Sequence, residues 1–144
     1  MNLLGSLRKE KPKFTGSMTA LITPFDNGEL DLNSFRNIVK HQIDNGTDGL
    51  IPVGTTGESP TLSWEEQYQL LETVRNAVNG SAKVLAGTGS NSTSEAIHAT
   101  AKAAEAGADG AFQRFTMHKK AAAAYPSRVR RPHQGETSGG VDYF

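Results

Sequence analysis

The chain has 144 residues, 36% of them apolar, and its 15 Lys/Arg are balanced by 15 Asp/Glu, a composition that suits one soluble domain rather than a disordered or fibrous chain. With no cysteine, a disulfide framework, a thiolate metal site and a cysteine nucleophile are all excluded. No apolar run reaches the length of a signal sequence or a membrane span, so a cytoplasmic protein without membrane association is expected.

Residues 1–13 read as a polar extension whose Arg8, Lys9, Lys11 and Lys13 are solvated charges. Residues 17–25 (SMTALITPF) then read as a buried strand ended by Pro24, which has no N–H for a ladder, and residues 26–28 (DNG) as a turn. Leu32, Phe35, Ile38, Val39 and Ile43 recur at helical spacing and place an amphipathic helix before Gly46. Residues 49–53 (GLIPV) form the next strand, followed by the glycine- and hydroxyl-rich loop 54–62 (GTTGESPTL).

The segment 63–66 (SWEE) predicts a capping box, in which the serine oxygen and the glutamate three positions on satisfy free N–H groups at a helix start. Trp64, Tyr68, Leu71, Val74 and Val78 are the expected apolar stripe of that helix. A third cycle runs from strand 83–86 (KVLA) through loop 87–91 (GTGSN) to a second predicted box, 92–95 (STSE). Its helix turns Ile97, Ala101 and Ala104 inward, stops near Gly107, and hands over to a fourth strand from Gly110. Two similar segments, 45–50 (NGTDGL) and 106–111 (AGADGA), mark equivalent helix-to-strand junctions. The alternation implies parallel strands joined by right-handed crossovers, hence an α/β fold over residues 14–113.

Near Gln113 the pattern changes. From Arg114 onward six Lys/Arg face only Glu136 and Asp142, and small and turn-forming residues replace regular apolar spacing, so residues 114–144 are expected to be an irregular tail.

In parallel α/β folds, chemistry gathers at the carboxyl ends of strands. Loops 54–59 and 87–91 lie there, and their glycines, hydroxyls and helix-start amides suit a small anion, a carboxylate as well as a phosphate. A P-loop is excluded because Gly57-Glu58-Ser59 stands where Gly-Lys-Ser/Thr is required. His41, His98, His118 and His133 lack ligand spacing, and no metal or other cofactor is assigned.

The segments 14–25 (FTGSMTALITPF), 54–59 (GTTGES) and 86–91 (AGTGSN), in this order and spacing, resemble the dihydrodipicolinate synthase family. That resemblance implies the N-terminal part of a (β/α)8 barrel, about three βα units plus the start of a fourth strand. It further implies a class I aldolase-type lyase that condenses pyruvate with aspartate semialdehyde through a lysine Schiff base, on the diaminopimelate route to lysine. By the same resemblance Thr56 holds the pyruvate carboxylate with Gly54 and Gly57 beside it, Thr55 serves a proton relay, and Ser59, Asn91 and Glu95 match a lysine-feedback site. Trp64 and Gln67 stand where some members carry histidines.

The family's aromatic pair after the fourth strand is replaced here by residues 112–117 (FQRFTM), and none of the lysines lies in the context of a Schiff-base lysine. The alternative reading is therefore a non-catalytic truncated or frameshifted member. A further alternative is a nucleic-acid-binding module using Lys119, Lys120, Arg128, Arg130 and Arg131. An unclosed barrel has exposed strand edges, so self-association is expected.

Overall fold

The computed structural model describes residues 14–113 and, as backbone, residues 140–143. Strand β1 (Met18–Ala20) pairs in parallel with β4 (Gly49–Ile51), β4 with β5 (Lys83–Gly87), and β5 with β6 (Gly110–Gln113). Between them run the helices α1 (Leu32–Asp44), α2 (Trp64–Val78) and α3 (Thr93–Glu105). The expected three strand-and-helix cycles plus a fourth strand are all present.

The register shows why the helices lie where they do. Thr19, Leu50 and Val84 are mutual partners and so share one face of the sheet, as do Ala86 and Ala111. On that face Leu50, Val84 and Ala86 form one core with Leu21, with Phe35 and Val39 of α1, and with Leu70, Leu71, Val74 and Val78 of α2. The opposite face is barer toward β1, where Ala20 is exposed and Ile22 is 55% exposed.

Four expectations are corrected. The first strand is shorter than residues 17–25, because the chain leaves the sheet after Leu21 donates to the Ile51 carbonyl. Phe25–Asp26 (β2) then pairs antiparallel with Glu29–Leu30 (β3) around a turn in which Asn27 and Gly28 both take positive φ. In α2, Leu71, Val74 and Val78 are buried as expected, but Trp64 and Tyr68 lie half-buried outside the core, which takes Leu70 as well.

In α3 the inward residues are Ala96, Ala99 and Ala103, while Ile97, Ala101 and Ala104 face outward. Alanines on every side of this helix give periodicity little contrast to work with. The tail, expected to be irregular, contributes strand β7 (Gly140–Tyr143), paired antiparallel with β6 from Gly110↔Tyr143 to Gln113↔Gly140. The tail cations Lys119, Lys120, Arg128, Arg130 and Arg131 and the extension 1–13 lie outside the described residues.

The repeated junctions have a purpose that periodicity does not reveal. Gly46 and Gly107 take φ of +82° and +80° and turn the chain out of each helix, as a C-terminal glycine does. Two residues on, Asp48 accepts from the Ser17 N–H at 2.7 Å and Asp109 from the Val84 N–H at 2.9 Å, so each aspartate holds the start of a neighbouring strand. Asp109 also accepts from the Lys83 Nζ at 2.8 Å. Burial pushes the Asp109 carboxyl up, but the Lys83 ammonium and the Val84 N–H outweigh it and hold the group below its ordinary value.

A carboxyl held low when folded binds fewer protons than when unfolded, so its stabilisation is full above the ordinary carboxyl range and is lost as pH falls through the folded value. The expected outcome is that acid unfolding followed by circular dichroism shows less stability loss below pH ~4 in Asp109→Asn than in the parent chain.

Candidate functional site

The loops after β4 and β5 are brought together by steric necessity. A Cβ on Gly87 would lie 2.3 Å from the Val53 carbonyl oxygen and 2.7 Å from the Gly54 Cα, so the loop after β4 lies directly on the end of β5. On Gly57 a Cβ would meet the Leu21 carbonyl oxygen at 3.0 Å and the Val53 nitrogen at 3.2 Å. The buried Thr23 hydroxyl donates to the Gly57 carbonyl at 2.7 Å and ties the loop to the end of the first strand. Between these anchors Val53 and Glu58 both take φ of +58°, a conformation that costs a β-branched residue most. The strain is retained because neighbouring backbone determines it from two sides.

Within this loop the Gly57 and Ser59 amides donate to the Gly54 carbonyl and the Glu58 amide to the Thr55 carbonyl. Among the described residues, the N–H groups of Thr55 and Thr56 have no acceptor, and neither hydroxyl is hydrogen-bonded. Both side chains are exposed. Two free amides and two free hydroxyls on adjacent residues are thus donors available to a small anion. Gly57, expected beside the ligand, also has the steric role just described.

A cleft of about 490 Å³ opens between the loops, within the range of small-molecule sites. Gly54, Thr55 and Ser59 line one side and Gly87, Ser90, Asn91 and Glu95 the other, with Trp64 and Gln67 at the α2 end. The structure thus gathers into one cleft most of the residues expected at two sites, while Thr56 and Gly57 lie outside its lining. Gln67 Nε2 donates to the carbonyls of Ser59 and Leu62 at 3.2 and 3.3 Å and holds the short 3-10 turn Ser59–Thr61 against α2.

The two predicted capping boxes differ. At α2 both bonds form, Glu66 N–H to Ser63 Oγ at 3.2 Å and Ser63 N–H to Glu66 Oε2 at 2.7 Å. At α3 the Ser92 hydroxyl accepts from Glu95 N–H at 3.5 Å, but the Glu95 carboxylate does not return to Ser92. It accepts from the Ser90 hydroxyl at 2.5 Å, while Ser90 Oγ also accepts from the Ser92 N–H. Glu95 is therefore turned away from a closed cap and belongs to the cleft lining.

At the cleft floor, which Thr88 helps to line, lies a polar cluster that the sequence pattern does not announce. Gln113 Nε2 donates to Thr88 Oγ1 at 3.2 Å and Thr100 Oγ1 at 2.8 Å, and Thr100 lies 3.0 Å from Thr88 and 2.7 Å from the Ala96 carbonyl. Gln113 is 2% exposed, and its Oε1 has no partner among the described residues. An unpaired buried carbonyl costs about 1–3 kcal/mol, and the two threonines still satisfy each other without the amide. Gln113→Met should therefore raise stability by about 1 kcal/mol in urea titration; a loss of stability would mean that the amide donors matter more than the orphaned acceptor.

The lysines among the described residues are all turned to solvent. Lys40, Lys83 and Lys102 pair with Asp44, Asp109 and Glu105, with side chains 72%, 53% and 41% exposed. The Glu105 carboxylate raises the Lys102 ammonium above its ordinary value. No helix among the described residues is long and apolar enough to cross a membrane.

Comparison with known proteins agrees with this arrangement. Residues 13–114 match the dihydrodipicolinate synthetase family. A 4-hydroxy-tetrahydrodipicolinate synthase of Prochlorococcus marinus is 76% identical over 96 residues, which are 66% of this chain and 32% of that protein. Among solved structures, dihydrodipicolinate synthase from Aquifex aeolicus superposes with a TM-score of 0.66 at 52% identity, covering 68% of this chain and 33% of that one. The enzyme from Cyanidioschyzon merolae with lysine bound gives a TM-score of 0.65 at 48% identity, covering 67% and 34%. The chain spans about a third of the length of these relatives. The parallel sheet and its helices are accordingly a part of their barrel, and with the family match extending over most of its residues, this chain belongs to the dihydrodipicolinate synthetase family.

Proposed function

We propose that this chain carries the carboxylate-binding corner and the effector cleft of a 4-hydroxy-tetrahydrodipicolinate synthase, and that by itself it binds ligands without catalysing the condensation. The reaction of such a synthase joins pyruvate to aspartate semialdehyde through an imine on a lysine. Imine formation needs an amine that is unprotonated near neutral pH, which burial or a neighbouring cation provides. The observation that carries the non-catalytic reading is the setting of the described lysines, each exposed to solvent and paired with a carboxylate rather than buried. Pyruvate's carboxylate is assigned to the amides and hydroxyls of Thr55 and Thr56, with Thr55 serving the proton relay when its partners are supplied.

The cleft is assigned to lysine as an effector. Glu95 offers a carboxylate to an ammonium group, Ser59 and Asn91 offer neutral polar contacts, and Trp64 supplies an apolar wall. The Cyanidioschyzon merolae enzyme, solved with lysine bound, supports this choice. Self-association is part of the same reading, because β1 has no partner on its outer side among the described residues and Ile22 and Phe25 stand exposed near it.

The test is calorimetric titration of the purified chain with L-lysine, alongside a turnover assay with pyruvate and aspartate semialdehyde. Lysine binding that weakens by about ten- to a hundredfold in Glu95→Gln is expected, the loss of one charge-assisted contact. Turnover should be undetectable. Equal affinity in the parent and variant chains would remove Glu95 from the site.

A further inference from the structure

Trp64 is the single tryptophan of the chain, and it has two surroundings. One part of its side chain lines the cleft. The other meets a cluster outside it: the Tyr68 ring stacks at a centroid distance of 6.4 Å, and the His98 imidazole stands edge-on at 5.9 Å. Tyr68 Oη and His98 Nε2 are 3.2 Å apart. The pair joins α2 to α3, and it does so beside the indole that walls the cleft.

We propose that Tyr68 and His98 are a positioning pair that sets the Trp64 indole as the cleft wall, so that the charge on His98 is felt by whatever binds in the cleft. This rests on the reading of the cleft as a site for an amine.

The contact survives protonation, because a neutral imidazole accepts from the phenol and a charged one donates to it. Burial raises the Tyr68 phenol above its ordinary value, with Lys102 pulling the other way, so its hydroxyl remains protonated across the neutral range. The charged groups around the pair are Glu65 on α2 and Lys102 and Glu105 on α3, with Glu95 one turn before His98. What changes with pH is the charge brought to the indole. A cationic imidazole draws on the same π-system that a ligand ammonium in the cleft would use, so the two compete.

The experiment is a pH titration of Trp64 emission on the full chain, with and without L-lysine, in the parent, His98→Gln and Tyr68→Phe. In the parent, one pH-dependent step in emission is expected. It should vanish in His98→Gln and shrink in Tyr68→Phe, with circular dichroism unchanged in both. Lysine should bind about three- to tenfold more weakly on the acid side of the step, and His98→Gln should abolish that difference. An emission step without lysine binding would remove the amine reading of the cleft and leave the positioning pair in place. Emission that follows pH identically in the parent and His98→Gln would overturn the proposal, whatever lysine does.

Discussion

Gly87→Ala should cost at least about 3 kcal/mol of stability, the upper end of what overpacking usually costs. A methyl there would lie 2.3 Å from the Val53 carbonyl oxygen, 2.6 Å from its carbon and 2.7 Å from the Gly54 Cα. All three atoms are backbone, so no rotamer change makes room. The loop would have to lift from the end of β5, breaking the 2.9 Å bond from the Gly87 N–H to the Pro52 carbonyl and opening the cleft. Gly54→Ala is the control, since the nearest atom to its added Cβ is 3.8 Å away. That change should move the urea midpoint little, because alanine fits there and also restricts the unfolded chain. Similar losses for the two variants would mean that the loops do not meet as described.

The second large effect is in the core. Phe35 is 1% exposed on α1 and packs in the cluster with Val39, Leu50 and Val74. Phe35→Ala should cost about 3–5 kcal/mol, combining lost burial with the cavity left behind. A fold with stability of ordinary size would have little left after that loss. Phe25→Ala is the comparison, because Phe25 is 42% exposed in the β2–β3 hairpin, and about 1 kcal/mol or less is expected there. Thermal melts of both variants check the contrast.

Local chemistry makes much of this fold legible in the amino-acid sequence alone. The capping box at Ser63 and Glu66 forms with both bonds because both partners are local and nothing competes for them. The box at Ser92 and Glu95 has the same signature, yet Ser90 captures the glutamate and turns it toward the cleft. That competition depends on the path of loop 87–91, which spacing alone does not reveal.

The order of strands and helices is legible because Leu, Ile and Val mark the faces of the first two helices clearly. Legibility fails on α3, where Ile97 suggests an inward face that Ala96, Ala99 and Ala103 occupy instead. That the two loops meet is legible, since both follow neighbouring parallel strands and so lie at the same end of the sheet. Which glycine does what is not legible: Gly87 and Gly57 are required by atoms that approach from residues far off in sequence, while Gly54 has room to spare. The Thr88–Thr100–Gln113 cluster escapes for the same reason, its members being 12, 13 and 25 positions apart. Aspartates 48 and 109 read as parts of a repeat, and only the register of the strands shows that each holds a neighbouring N–H.

The central proposal, that this chain does not form a covalent intermediate with pyruvate by itself, is tested most directly by borohydride trapping with pyruvate, read by intact mass. From folded protein, the account predicts the unmodified mass. A reduced pyruvate adduct on a lysine would contradict it, because one of the chain's own amines would then be acting as the nucleophile.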